Sequence, residues 1–292
     1  RDLTTPSAAP RIGLIAGRGE FPKLLARAAS DQGYLVEVFA IRGLTDPAIQ
    51  RDAAAMHWLH LGQFGRLIEI CHEIGVERLA MAGAVPHTAI SRFRGFDSRS
   101  LKIIGKIANL KSDSILGAVT AELAKEHIEV MDSTMFLRSL MPRRGLLTPD
   151  RKPTADERRD IRFGFPIARE IGRLDIGQTI AIKDRAVVAV ESLEGTDAMI
   201  LRAGEVAGPG VVICKTSKPR QDSRFDVPVI GLQTVRTMIE AKASCLAVEA
   251  GATLFFNQAE AIELAQRHGI CLYASSAASG ADHLSLAGRD DL

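Results

Sequence analysis

The feature that most narrows the fold is an alternation, through the first half of the chain, of short apolar runs with segments of helical period. Ile12 to Ala16 reads as a strand, and Gly17-Arg18-Gly19 then turns the chain. Phe21, Leu24, Leu25, Ala28 and Ala29 follow at helical spacing, with Gly33 placed to cap that helix. Leu35 to Ile41 is a second strand and His57 to Leu61 a third. Phe64 to Ile74 is a helix with Leu67, Ile68, Cys71 and Ile74 on one face, ended by Gly75, and Arg78 to Ala82 is a further strand. Elements of this length in this order predict a Rossmann-like, doubly wound parallel sheet. The first turn would set backbone N–H groups and a helix N-terminus at the carboxyl edge of that sheet. Gly17 and Gly19 are therefore candidate substrate-binding positions for an anion.

A nicotinamide dinucleotide fits poorly. The third glycine of the dinucleotide fingerprint is missing around Lys23, and the second strand ends at Arg42 with no acid for a ribose. His87, after the fourth strand, is a possible ligand contact or simply a turn residue.

A chain of 292 residues exceeds the usual size of one core, so two domains are expected. The N-terminal domain spans 11–145. A composition shift with two prolines marks Thr148 to Thr154 as a linker, and a C-terminal mixed α/β domain spans 155–274. Before the shift, helices are predicted at Leu101–Asn109 and Ser114–His127, and a strand at Ile128–Met131. Asp132 would cap a helix from Thr134 to Leu140. After it come a helix from Asp156 capped by Thr154, and a hairpin about Lys183-Asp184-Arg185. Strands and helices then alternate to Tyr273, ahead of a tail rich in Ser, Ala and Gly.

A net charge of +2 and 5% aromatic residues give no drive towards nucleic acid. Cys71, Cys214, Cys245 and Cys271 lack CxxC spacing and lie among apolar neighbours, which reads as buried free thiols in a reducing, cytoplasmic compartment. No apolar run approaches bilayer-spanning length, so a soluble or peripheral protein is expected. Two segments mix Arg with large apolar groups, SRFRGFDSR from Ser91 and MFLRSLMPRR from Met135. Each could meet an anionic membrane surface or pack onto its own domain. Nothing in the sequence specifies an oligomeric state.

The chemistry gathers between Lys183 and Asp226. Glu191, Glu194 and Asp197 surround a Gly195-Thr196 turn into a helix; Lys215, Lys218 and Arg220 follow, then Asp222, Arg224 and Asp226 at alternating positions. Lone buried charges are costly, so interleaved charges of both signs suit either a solvated face or a polyanionic substrate handled with a divalent cation. On the second reading Asp197 and Glu194 would hold Mg²⁺, while Glu191, Thr196, Lys215, Lys218 and Arg224 would contact substrate. No His-rich cluster supports a dinuclear metallophosphatase. A non-catalytic module that merely holds a nucleotide or nucleotide-sugar remains the alternative.

AVESLEGTDAMI from Ala189 and KPRQDSRFDVPVIG from Lys218 resemble signature segments of the UDP-2,3-diacylglucosamine pyrophosphatases of LpxI type. IGLIAGRGEFPKLLA from Ile12 and CLAVEAGATLFF from Cys245 are similar to that family in the same order, so the likeness runs from about Arg11 to Ala274. The resemblance implies Mg²⁺-dependent hydrolysis of UDP-2,3-diacylglucosamine to UMP and 2,3-diacylglucosamine 1-phosphate (lipid X), a step of lipid A synthesis. It implies substrate held between two domains, at the cytoplasmic face of the inner membrane. It also implies that Asp226 is the essential acid and a metal ligand, with Asp222 its nearest rival for the catalytic role.

Overall fold

Parallel strands cannot be joined by tight turns, and the segments of helical period between them supply the crossovers. The computed structural model describes residues 9–86, 89, 95–105, 112–219, 222, 224 and 227–275. The chain forms two compact units, Arg1–Leu137 with Asp222–Asp226, and Arg138–Gln221 with Val227–Leu292.

In the first unit, β1 (Arg11–Ala16), β2 (Leu35–Ile41), β3 (Ala55–Leu59), β4 (Arg78–Ala82) and β5 (Glu129–Val130) make a five-stranded sheet. Its order is β3-β2-β1-β4-β5, and every pairing is parallel. The helices are α1 (Phe21–Asp31), α2 (Phe64–Ile74), α3 (Ser98–Ile104) and α4 (Ser112–Lys125). On α2, Leu67, Ile68, Ile70 and Cys71 are buried against Phe39, Leu79 and Met81 of the sheet and Leu123 of α4. Gly75 ends that helix at φ 70, the left-handed cap its position in the sequence predicts.

Residues 134–140 depart from expectation. Oδ1 of Asp132 accepts both the Thr134 N–H (2.8 Å) and the Thr134 hydroxyl (2.7 Å), but the helix it was expected to cap does not form. Beyond Asp132 the chain makes a run of turns and a single 3₁₀ turn at Arg138–Leu140 in place of an α-helix. Phe136 and Leu137 are buried, and the Phe136 ring meets Tyr34 edge to face at 5.0 Å. Phe136 and Leu137 of MFLRSLMPRR therefore pack inward, while Met135, Leu140 and Met141 are half-buried. Ser91–Arg94 of the other candidate segment, and His87, lie outside the described residues.

The second unit carries β6 (Gly145–Leu146), α5 (Ala155–Arg173), β7 (Thr179–Lys183), β8 (Ala186–Val190), α6 (Thr196–Ala207) and β9 (Val212–Lys215). It continues with β10 (Val229–Ile230), α7 (Leu232–Glu240), β11 (Cys245–Glu249), β12 (Leu254–Phe255), α8 (Gln258–Arg267) and β13 (Cys271–Ser275). A six-stranded sheet runs β6-β13-β11-β9-β7-β8, with β10 and β12 paired separately. Strands β9, β11 and β13 are parallel, and β6 and the β7–β8 hairpin are antiparallel. Side chains alternate across this sheet as a strand requires. Val212, Cys214, Cys245, Ala247 and Cys271 face Ile161, Phe165 and Ala168 of α5. Ile213, Leu246, Val248 and Leu272 face the other layer, with Met199 and Ile200 of α6 and Met238 of α7.

Thr154 caps α5 in a full capping box with Glu157, each side chain accepting the other's backbone N–H. The hairpin turn puts Asp184 and Arg185 at φ 53 and 60, and both N–H groups donate to Asp160 of α5 (3.1 and 2.7 Å). The stretch read as a linker is fastened to this sheet. β6 pairs with β13, and buried Thr148 accepts the Leu272 N–H at 3.0 Å. The last strand runs through Ser275, into the predicted tail.

All four thiols are free and buried, and burial pushes that of Cys71 up to about 12. No described helix is long and apolar enough to cross a membrane.

The β1–α1 turn lies back to back with the loop after β4. Gly17 donates to the Ala82 carbonyl (2.8 Å), and Arg18 and Ala84 exchange N–H···O bonds (2.9 and 3.0 Å). A Cβ on Gly17 would stand 2.8 Å from the Ala84 carbonyl oxygen, closer than a real contact allows. Gly17→Ala is thus expected to lower stability by about 1–3 kcal/mol, the range for overpacking a closed site. Thermal denaturation would check it, and an unshifted melting temperature would show that the two loops part without loss.

Candidate active site

The carboxyl ends of β8, β9 and β11 and the start of β7 lie along one edge of the second sheet, because β7 runs opposite to β9 with Thr179 across from Lys215. Lys215 ends β9 and is 3% exposed. Its ammonium donates to the Thr196 hydroxyl (2.7 Å) and the Thr179 hydroxyl (3.2 Å). Thr196, which opens α6, donates in turn to Glu191 Oε1 (2.6 Å), and the Gln178 N–H reaches Glu191 Oε2 (3.3 Å). Gly177 makes this possible, since a Cβ there would lie 2.1 Å from the Glu191 carbonyl oxygen.

A cation and a carboxylate thus share two threonine hydroxyls inside the protein, where either charge alone would be expensive. Burial pushes the Glu191 carboxyl up. The Lys215 ammonium and the bonds from Thr196, Thr179 and Gln178 outweigh it, and the group titrates below its ordinary range.

Asp197 sits in the first turn of α6, one residue beyond Thr196. Burial raises its pKa, Lys215 lowers it and Glu191 raises it, for a net upward shift. Unlike its neighbours, it has no hydrogen bond or ion pair among the described residues. Glu194 differs: Oε1 pairs with Arg202 at 2.6 Å and Oε2 accepts the Ser192 N–H at 3.1 Å. Those bonds, first of all the one from its own backbone N–H and then the Arg202 pair, hold it below the ordinary carboxylate range. Glu194, expected beside Asp197 as a metal ligand, thus meets Arg202 and the Ser192 N–H in this structure.

A second group lies along the same edge. Glu249 ends β11 and is 5% exposed. Its Oε2 accepts the Ser217 N–H (2.7 Å) and the Ser217 hydroxyl (2.5 Å), and its Oε1 meets Arg169 of α5 at 3.1 Å. Lys218 reaches Asp175 Oδ1 at 2.9 Å. Sequence reasoning passed over Thr179, Arg169, Ser217 and Glu249. Arg169 hides on the polar stripe of an amphipathic helix, and Glu249 reads as the last residue of an apolar strand. A charge closing a buried strand was the available signal.

Asp222 and Arg224 belong to the first unit and engage each other. Arg224 Nε is 2.8 Å from Asp222 Oδ1, and Nη2 is 2.5 Å from Oδ2. That pairing holds Asp222 below its ordinary range. Asp226 lies outside the described residues. The N–H of Gly17 donates to the Ala82 carbonyl (2.8 Å), and a Cβ on Gly19, which stands at φ 107, would meet open space.

Among the described residues no three His, Cys, Asp or Glu side chains gather into a closed metal site. Magnesium demands less, one or two carboxylates completed by substrate phosphates and water. Asp197 meets that demand. Glu191 and Glu194 are already engaged.

Comparison with known proteins follows the same division of the chain. Residues 11–140 match the LpxI N-terminal domain and residues 143–273 the LpxI C-terminal domain. Among curated proteins, the UDP-2,3-diacylglucosamine pyrophosphatase LpxI of Caulobacter vibrioides is 31% identical over 271 residues, 89% of this chain and 95% of that protein. Among solved structures, the biotin carboxylase domain of Hydrogenobacter thermophilus 2-oxoglutarate carboxylase overlaps 69% of this chain and 42% of its own at 14% identity. Its TM-score is 0.24, too low to bear on the fold. Two domain matches in order and a relative alike over nearly its whole length place this chain in the LpxI family.

Proposed function

We propose that this chain hydrolyses the diphosphate of UDP-2,3-diacylglucosamine to UMP and 2,3-diacylglucosamine 1-phosphate (lipid X), in lipid A synthesis. The observation that carries the reading is the 31% identity to a pyrophosphatase of that name over 95% of its length. In the reaction a water oxygen bonds to one phosphorus, the bridging P–O bond breaks, and the departing phosphate keeps the bridging oxygen. The departing water proton needs an acceptor. Asp226, which matches the family's essential acid, is proposed for that role or for orienting the water, with Asp222 as its rival.

Asp197 is the proposed protein ligand for magnesium. When bound, the ion would neutralise diphosphate charge and lower the cost of charge on the leaving oxygen. Lys215 acts from beneath. Pinned by Thr179 and Thr196, it places positive potential under the first turn of α6, whose N–H groups also favour an anion. Lys218, held at Asp175, is the proposed direct phosphate partner. A diacylated sugar resides in a bilayer, so the same reading puts the protein peripherally at the cytoplasmic face of the inner membrane. The competing reading, a module that only holds a nucleotide-sugar, accounts for the cations but gives no work to Asp197.

Purified protein incubated with Mg²⁺ and UDP-2,3-diacylglucosamine is expected to release UMP, detected by mass spectrometry, and to leave UDP-N-acetylglucosamine intact. Tight binding without release would favour the holding module. Asp197→Asn should lower turnover roughly a hundredfold, the scale on which a group at developing charge acts. Its raised folded pKa means that Asp197 favours the folded state when protonated, an advantage present below the unfolded value and lost as pH rises through the folded one. The same variant should therefore melt higher than wild type at neutral pH, and its acid-side fall in rate should lose the Asp197 component. Lys215→Met strands buried Glu191 and is expected to cost about 3–5 kcal/mol, most of it recovered in Lys215→Met/Glu191→Leu. Denaturant titration of both would test that, and failure of the double variant to recover would mean that Lys215 acts through other contacts.

A further inference from the structure

Side-chain alternation sends Lys215 and Glu249 to opposite faces of the second sheet. Lys215 shares parity with Ile213, on the α6 side, and Glu249 with Ala247, on the α5 side. Yet both hold the same short segment. Lys215 is fixed by Thr179 and Thr196, the Thr216 N–H bonds to the Gln178 carbonyl (3.0 Å), and Ser217 is held through both N–H and hydroxyl by Glu249. Glu249 does nothing for its own strand that an apolar residue would not do as well, and a lone buried carboxylate is costly, so Arg169 pairs with it. Its bonds all go outward, to the loop after β9 and to α5. In an open α/β sheet, loops at the carboxyl ends of parallel strands are where ligands bind.

We infer that Glu249 is a positioning residue: with Arg169 it clamps Ser217, and so fixes Lys218, next in the chain, where it can meet the anionic part of the substrate. The inference rests on the diphosphate reading above for the identity of that substrate, but the clamp itself does not. Lys218 has little freedom of its own. Its Cα lies 3.4 Å from where a Cβ on Gly172 would be, and its ammonium is held at Asp175. Freeing Ser217 would let the 217–218 peptide shift and carry the ammonium off line, and a displacement on the order of 1 Å is enough to cost up to about a hundredfold in a positioned reaction.

The test uses the full chain and two mild variants, Glu249→Gln and Ser217→Ala. First, the rate of acetylation of Lys218 is followed by mass spectrometry without substrate, with exposed Lys242 as the internal reference. Second, KM and kcat are measured for UMP release from UDP-2,3-diacylglucosamine with Mg²⁺. Glu249→Gln should speed Lys218 acetylation relative to Lys242 and raise KM about tenfold with a smaller change in kcat, and Ser217→Ala should move both in the same direction but less. In a Lys218→Met background the KM effect of Glu249→Gln should vanish, because the two act in series. Variants that melt lower but keep wild-type Lys218 reactivity and KM would overturn the inference, as would a KM effect that survives in the Lys218→Met background. If wild-type protein released no UMP, the diphosphate reading would fall, and faster Lys218 acetylation in Glu249→Gln would still decide for the clamp.

Discussion

The buried contact between Lys215 and Glu191, made through two threonine hydroxyls, is the interaction on which the second unit depends. An ammonium at 3% exposure survives there because Thr179, Thr196 and a carboxylate surround it. Those partners come from the start of β7, the end of β8, the end of β9 and the first turn of α6. One electrostatic demand therefore fixes four chain segments at one edge of the sheet. Apolar residues could fill that volume, but they would not care which segment supplied which atom. The polar solution specifies the register of the hairpin against β9 and the angle at which α6 leaves it.

Backbone bonds also close an edge in the first unit. In the first unit the place where a doubly wound sheet usually admits a ligand, beside β1 and β4, is bridged by the Arg18–Ala84 pair of backbone bonds. Glycines that in a dinucleotide fold would welcome a pyrophosphate here let two loops touch. In the second unit the carboxyl edge carries Lys215, Asp197, Glu249 and Lys218 without such a bridge among the described residues. The first sheet is wholly parallel and the second mixed, and their carboxyl edges are finished differently.

Much of the fold was legible because period and punctuation agreed. Phe64–Ile74 and Arg78–Ala82 fall where alternation and Gly75 place them, and Thr154 caps the helix it precedes. The misses have physical causes. Residues 134–140 contain helix formers, but Asp132 and the burial of Phe136 and Leu137 favour tight turns over a continuous helix. The stretch after Thr148 has a loop's composition and a strand's attachments, since its anchoring partner, Leu272, lies more than a hundred residues on. For the site, residue types were legible and partnerships were not. Glu194 stands beside Asp197 in sequence but answers to Arg202, and Asp222 and Arg224 are engaged with each other before any ligand arrives. Glu249 and Arg169, 80 residues apart, meet only through the fold.

The turn at Asp184-Arg185 carries a consequence for how this unit is made. Two consecutive non-glycine residues in the left-handed region disfavour the hairpin by roughly 1–2 kcal/mol each. Both of their N–H groups find acceptors on Asp160, a residue of α5. The β7–β8 hairpin is consequently a poor structure on its own and a good one once α5 stands beside it. Since α5 precedes it in the chain, a nascent polypeptide leaving the ribosome presents the template before the piece that needs it. Helix, turn and hairpin are thus close in sequence and in space, and β9 pairs with that hairpin before β11 and β13 add beyond it in the sheet order.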